Sequence, residues 1–469
     1  MKQTLGIFLL LITLSACSEK KTILKEPKVD KRVELLSIVF RLAESPVYSQ
    51  KSFPKYVEKI KNHFGEFKNH DLIKYTKNEL RENGVDYSAV MSMAIHITEP
   101  PNMKPIIPFS DNLLEKPWEK KSATKFLKLL NQFYIDTDCE TFLNNNKELY
   151  ETASNRFKKV YQNLDLEWYQ NFYGESPKGE FRIINGLGNG GASYGPKIIY
   201  PNENEVVYAI MGTWSVDSLG VPKYKMKDYF PTILHEFNHS FVNHIVKKHH
   251  SELKESGEII YNKVKNEMNK QAYGNWEIMY AEALVRSAVV TYMKDHNYDK
   301  KIIEKELNEQ LNSSFLWTGD LVKELERYSN NRDKYPTLES FMPEIVKFFN
   351  KTTYEIDTLK KRIDARRPKV ISIKPFSNNS QNVNYNINQV IIEFDKELVG
   401  KGYSIERGEK TFPKIKNPKY SKDKKSLIFE LVDLKPNQEY QFVLTGWGFI
   451  SKDGFGMNNF EVNFKTKKK

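Results

Sequence analysis

Residues His235 to His244 read HEFNHSFVNH, and they hold three of the nine histidines in a chain of 469 residues. His235 and His239 lie four apart, so on a helix they share one face. Glu236 follows the first of them. Two imidazoles one turn apart suit a zinc ion, and a carboxylate set between them is placed to take a proton from a water that the ion activates. The chemistry this predicts is hydrolysis, with one Zn2+ as cofactor and Glu236 as general base. The plain alternative is an amphipathic helix whose histidines are ordinary polar residues.

A catalytic zinc takes three protein ligands and keeps one position open. The neighbouring residues do not supply the third. His244 lies five residues after His239, about 140° further round a helix, and points away from the pair. His249 and His250 fall in the polar stretch KKHHSE, where exposure is expected. A later segment, WEIMYAEALVRSAVVTY (Trp276 to Tyr292), is apolar on nearly every face, yet it holds Glu282 and Arg286 one turn apart. A buried carboxylate is costly unless it is paired or bound to metal. Glu282 is therefore the expected third ligand, with Arg286 as its support or as a charge stabiliser. Two alternatives stand beside it: a surface Glu–Arg pair at i,i+4 spacing, and Glu277, in a more polar turn, as the ligand instead. Hydrolysis also needs a donor for the developing oxyanion. Arg286 and Tyr194 lead the candidates, ahead of Tyr280 and Tyr292.

These side chains need elements to hold them. Ile233, Leu234, Phe237, Phe241 and Ile245 give the histidine segment an apolar stripe, with Asp228 and Pro231 as start signals. Residues 32–175 read as mostly helical, from RVELLSIVFRLAE through FPKYVEKIKNHF and YSAVMSMAIHIT to RFKKVYQNL. FRIING, KIIY and EVVYAIMGTWS then read as strands of a small sheet. The intervening LGNGGASYG lacks the Lys-Ser/Thr of a phosphate loop and is expected to be a hairpin, whose glycines allow close backbone approach. Helices resume and run to about Ile363. After ARRPKV, five runs (KVISIKP, QVIIEFD, SLIFELV, EYQFVLTG and FEVNFKT) predict a β-sandwich over 366–469.

The N-terminus carries a short basic start, a ten-residue apolar run (Leu5 to Leu14) too short to span a bilayer, and then Leu14-Ser-Ala-Cys17. This looks like a bacterial lipobox. The resemblance implies a signal peptide over 1–16, a lipid on Cys17, a polar tether over 17–31, and a cell-envelope location, with Ser18 favouring the outer membrane of a Gram-negative cell. The other cysteine, Cys139, reads as a small buried apolar residue. The net charge of +12, from 72 basic and 60 acidic residues, is spread along the chain. It shows no concentrated basic face with interleaved aromatics, so no nucleic-acid partner is expected. Nothing in the chain fixes an oligomeric state.

His235, Glu236 and His239 with the downstream AEALVRS resemble a gluzincin-type zinc metallopeptidase. SAVMSMAIHI, NGGASYG, LHEFNHSFVN and FMPEIVKFF are similar to an envelope lipoprotein family with a zincin-like domain, over roughly Val33 to Lys351. IIEFDKEL, LKPNQEYQFVL with Tyr440 at a tyrosine corner, and DGFGMNNF resemble a bacterial Ig-like domain over Pro368 to Lys465. The implied architecture is α+β: a zincin-like catalytic domain over 32–365, mostly helical (32–175) with a sheet and active-site helices (176–365), then an all-β Ig-like sandwich. The implied activity is a lipid-anchored peptidase acting on proteins or peptides, with a sheet edge beside the helix to bind substrate backbone. No sure counterpart of the well-studied members' catalytic Tyr or His is found. A different class remains open: a non-catalytic binding or adhesion lipoprotein with a structural or vestigial metal site.

Overall fold

The structure, a computed structural model, describes residues 24–175, 180–202 and 204–469. The expected signal peptide and the lipidated Cys17 lie outside the described residues. The architecture is α+β. Two compact units divide the chain, 1–241 and 242–469, and the division falls inside one continuous helix.

In the first unit, strand β1 (Leu24–Lys28) precedes helices α1 (Lys31–Leu42), α2 (Pro54–Phe64), α3 (Asp71–Asn78), α4 (Ser88–Ile95), α5 (Lys120–Asp136), α6 (Cys139–Asn145), α7 (Lys147–Tyr161) and α8 (Leu166–Tyr173). Strands β2 (Glu180–Gly186), β3 (Lys197–Ile199) and β4 (Glu205–Gly212) follow. The sheet order is β1-β2-β4-β3, with β1, β2 and β4 parallel and β3 antiparallel at the edge. Two expectations are corrected here. The tether does not reach Lys31, because residues 24–28 pair with β2 and Asp30 caps α1 by accepting from Arg32 N at 2.9 Å. The glycine-rich stretch is not a hairpin between neighbouring strands. Parallel β2 and β4 need a crossover, and this segment supplies part of it on the way to β3. It passes so close to β4 that a Cβ at Gly212 would crowd the carbonyls of Gly190 and Ala192. Gly190 itself takes φ +68°, a conformation glycine adopts without steric penalty.

Helix α1 is buried on almost every face, and Val33, Leu36, Ile38 and Phe40 are part of one core that also takes in α5, α6 and residues of the sheet. Cys139 is in that core, as expected, and burial pushes its thiol pKa up.

Helix α9 (Met226–Lys248) crosses the division between the units. It starts five residues before Pro231, which sits inside it. The second unit continues with α10 (His250–Lys270), α11 (Trp276–Asp295), α12 (Lys300–Asn312), α13 (Thr318–Ser329) and α14 (Leu338–Asp364). α11 packs against α10, α12 and α13. No helix among the described residues is long and apolar enough to cross a membrane.

Strands β5 (Val370–Lys374), β6 (Ser380–Val383), β7 (Gln389–Phe394), β8 (Ile405–Arg407), β9 (Lys414–Tyr420), β10 (Ser426–Val432), β11 (Glu439–Leu444) and β12 (Phe460–Thr466) form two four-stranded sheets, β5-β7-β10-β9 and β6-β12-β11-β8. Alternate residues of each sheet, such as Val390, Ile392, Leu427 and Phe429 on one and Phe442, Leu444, Val462 and Phe464 on the other, fill the layer between them. Lys435 N donates to the Tyr440 hydroxyl at 2.8 Å, the tyrosine-corner bond that the sequence suggested. Within this unit the sandwich is tied to the helices by Arg366–Asp453 (3.1 Å), Asn308 Nδ2 to Asp453 O (3.0 Å) and Arg367 Nη1 to Gly456 O (2.8 Å).

Candidate metal centre

Helix α9 is held from below by aromatic packing. Phe237 and Phe241 meet Tyr169 of α8 at 4.5 and 5.6 Å between ring centroids, and Phe241 stacks on Tyr173 at 4.3 Å. The Tyr173 hydroxyl donates to Asn238 Oδ1 at 2.7 Å. With Ile233, Leu234, Phe237, Asn238 and Phe241 buried, His235, Glu236 and His239 are left half-buried. The two histidine Nε2 atoms lie 3.2 Å apart. Two nitrogens that share a tetrahedral ion at about 2.0–2.1 Å stand roughly that far apart.

His235, His239 and Glu282 together offer ligand atoms that all lie within 4.8 Å of one another. The three residues thus form a possible metal-binding triad, and their donor set of two imidazoles and one carboxylate fits zinc. Glu277 is not part of it. Its carboxylate meets the exposed His250 Nδ1 at 2.6 Å. His244 is exposed, and His249 is half-buried beside Glu252 at 3.4 Å, so neither joins the triad.

Glu282 is buried and anchored from its own helix. Arg286 Nε donates to Glu282 Oε2 at 3.0 Å, Nη1 to Gln310 Oε1 at 2.6 Å, and Nη2 to the Tyr273 hydroxyl at 2.7 Å. Gln310 in turn donates to Glu306 at 2.6 Å. Burial works against the charged guanidinium, but Glu282 and Tyr273 outweigh it and hold the Arg286 pKa above its ordinary value. Arg286 is therefore engaged in positioning Glu282. Tyr273, in the loop before α11, was not singled out by sequence, since its neighbours QAYGN carry no periodic signal.

Tyr194 is corrected. It pairs with Ile210 of β4 in both directions, Tyr194 N to Ile210 O at 2.9 Å and Ile210 N to Tyr194 O at 2.8 Å. Its ring is buried and stacked on Tyr48. Side chains alternate along a strand, so the next residue, Gly195, faces the other way. A Cβ built at Gly195 would overlap Glu236 Oε2. The residue beside the general-base candidate is thus the glycine, and the tyrosine belongs to the core. Tyr280 and Tyr292 are also core residues, Tyr280 stacked on Phe349 at 3.9 Å and Tyr292 on His296 at 3.9 Å.

A buried carboxylate of a different kind lies in the first unit. Glu34 of α1 accepts from Leu187 N at 2.7 Å and lies against Gly188. It has no cation at bonding distance among the described residues. Burial raises its pKa, Tyr56 and the backbone N–H groups of Leu187 and Gly188 pull it back, and the result is a carboxyl pushed up to about 7.

Residues 27–348 match the family described as a domain of unknown function (DUF4932), and the chain belongs to that family. No curated protein matches the chain. Among solved structures it is similar, at 16% identity and a TM-score of 0.17, to the copper resistance protein PcoC of Escherichia coli, over 21% of this chain and 99% of that one. It is also similar, at 15% identity and a TM-score of 0.18, to domains 1–6 of the surface layer protein SbsC, over 51% of this chain and 33% of that one. Likenesses this weak carry no meaning for the site.

Proposed function

We propose that the chain is a zinc-dependent peptidase of gluzincin type, and that its helical portion and small sheet make up a zincin-like catalytic domain. The observation that carries this reading is the convergence of His235, His239 and Glu282, with Glu236 next to the first ligand and outside the ligand set. A carboxylate not needed to hold metal is free for proton transfer. Zinc in the triad would supply a Lewis acid and lower the pKa of a water towards neutrality.

The chain's own residues do the rest. Glu236 takes the proton from the attacking water and passes it to the leaving amine. Arg286 keeps Glu282 aimed. Tyr194 spends its N–H and C=O on β4, so by antiparallel alternation the N–H and C=O of Gly195 point away from β4. An extended substrate backbone laid along that edge would meet these groups beside Glu236. Substrates on this reading are proteins or peptides. Anchoring through a lipid on Cys17, at the envelope and in the outer membrane, belongs to the same proposal.

The test is zinc per chain and peptide hydrolysis on the chain from Ser18 onward, beside Glu236→Gln and His239→Ala. Glu236→Gln should keep about one zinc and lose at least a hundredfold in kcat. His239→Ala should lose both zinc and activity. Undiminished hydrolysis in Glu236→Gln would sink the mechanism. Absence of zinc from the parent after zinc is added back would favour a non-catalytic binding protein.

A further inference from the structure

One end of the sandwich is built from the β7–β8 loop, the β9–β10 turn and the β11–β12 loop. Two aromatic side chains stand out of it: Trp447 is 89% exposed and Tyr403 is 50% exposed. A large ring left in water is informative when its base is rigid. Here the base is fixed. Gly448 backs so closely on Tyr403 and Ser404 that a Cβ would overlap their backbone. The Tyr420 hydroxyl bonds both loops, through Gly402 O at 2.6 Å and Gly448 O at 3.2 Å. Thr445 N donates to Ser404 O at 3.1 Å.

The charges around the rings are one-sided. Lys401, Lys422, Lys424 and Lys425 are exposed and form no ion pair among the described residues. Two carboxylates of the same end are paired with other lysines, Glu397 with Lys452 at 3.2 Å and Asp395 with Lys396 at 3.3 Å, while Asp423 accepts from the Ser421 hydroxyl at 2.6 Å and from Lys425 N at 3.1 Å and feels the charge of Lys425. The stem of Lys424 lies over Gly400, next to Tyr420. Four exposed lysines, with Asp423 beside Lys425 as the one acid among them, therefore frame two projecting aromatics.

We propose that this end of the sandwich docks on an anionic lipid surface, with Trp447 and Tyr403 at the headgroup level and the four lysines against lipid phosphates. Rings with an apolar body and a polar tip favour that layer, and lysines near an anionic leaflet are drawn to it. A sugar polymer is the less suitable occupant. Small-ligand sites are concave and ordered by surrounding polar groups, whereas Trp447 projects between Gly446 and Gly448.

The experiment is sedimentation of the chain from Ser18 onward, which carries no acyl group, with phosphatidylcholine vesicles with and without phosphatidylglycerol. Binding should need phosphatidylglycerol and weaken as salt is raised. It should fall about fivefold for each of Lys422→Ala and Lys424→Ala, and about tenfold for Trp447→Ala. Tyr354→Ala, at an equally exposed ring (90%) on α14, should change nothing. Equal binding to neutral vesicles, full binding by Trp447→Ala, or binding to polygalacturonate with none to vesicles would each overturn the proposal.

Discussion

Among the buried carboxylates, Glu282 and Glu34 are managed in opposite ways. Glu282 faces a guanidinium that is itself held by Gln310 and Tyr273. Glu34 faces backbone N–H groups and tyrosines, with no bonded cation, and its carboxyl is pushed up to about 7. The difference teaches what each is for. On the proposed reading Glu282 is a metal ligand, and the Arg286 guanidinium bonded to it favours the charged carboxylate that a ligand needs. A structural acceptor only needs to receive the Leu187 N–H, which a neutral carboxyl still does, though more weakly than a charged one.

The comparison breaks first at Glu282. Glu282→Ala should abolish zinc binding. It should also cost about 3–5 kcal/mol in metal-free protein, because Arg286, whose side chain is only 14% exposed, is left as an unpaired buried charge. Urea unfolding in chelator reads that cost. A loss under about 1 kcal/mol would show that the pair is not buried in solution.

Glu34 sharpens it from the other side. Its folded pKa is above its ordinary value of 4.5, so the folded state holds a proton that the unfolded chain gives up. Stability should therefore be greatest below pH 4.5 as far as this group is concerned, fall between 4.5 and about 7, and level off above. Glu34→Gln removes that slope and keeps the acceptor for Leu187. At neutral pH it should be more stable than the parent by about 1–3 kcal/mol. Urea midpoints measured across the pH range check the sign; an unchanged slope would mean that Glu34 is ionised in the fold.

The smallest effect belongs to Glu277. It is on the same helix as Glu282, but its bond to His250 is exposed. Glu277→Ala should leave zinc content intact and change stability by under about 1 kcal/mol. Loss of zinc in that variant would instead make Glu277 the ligand.

Much of this was legible in the residues. A glutamate flanked by apolar neighbours has few affordable fates, so Glu282 could be preferred over Glu277 from composition alone. The helical stripes of α1, α2 and α5 and five of the eight sandwich strands also stood out. What could not be read has physical causes. β6 and β8 are only four and three residues long, and β9 is a polar edge strand whose side chains mostly face water. β1 contains Pro27 and forms because β2 offers it an edge. Arg286 could be placed near Glu282, but its role depended on Gln310 and Tyr273, which come from other segments. Tyr194 was misread because which residue of a strand faces which way is set by pairing with a partner far off in sequence.

That last point reaches beyond Tyr194. Along the segment leading into β3 the pleat delivers alternately a phenol to the core and a bare backbone to Glu236. Gly195→Ala introduces one methyl group, which would overlap the end of the Glu236 side chain. Deleting a single residue between 190 and 193 would do more, since it would tend to shift the phase of the strand and turn a tyrosine towards the glutamate while emptying its place against Tyr48. The length of that glycine-rich passage is thus as much a part of the centre as the histidines, and chain-length variation should be tolerated there far less than changes of residue type at Ala192 or Ser193, which are half-buried.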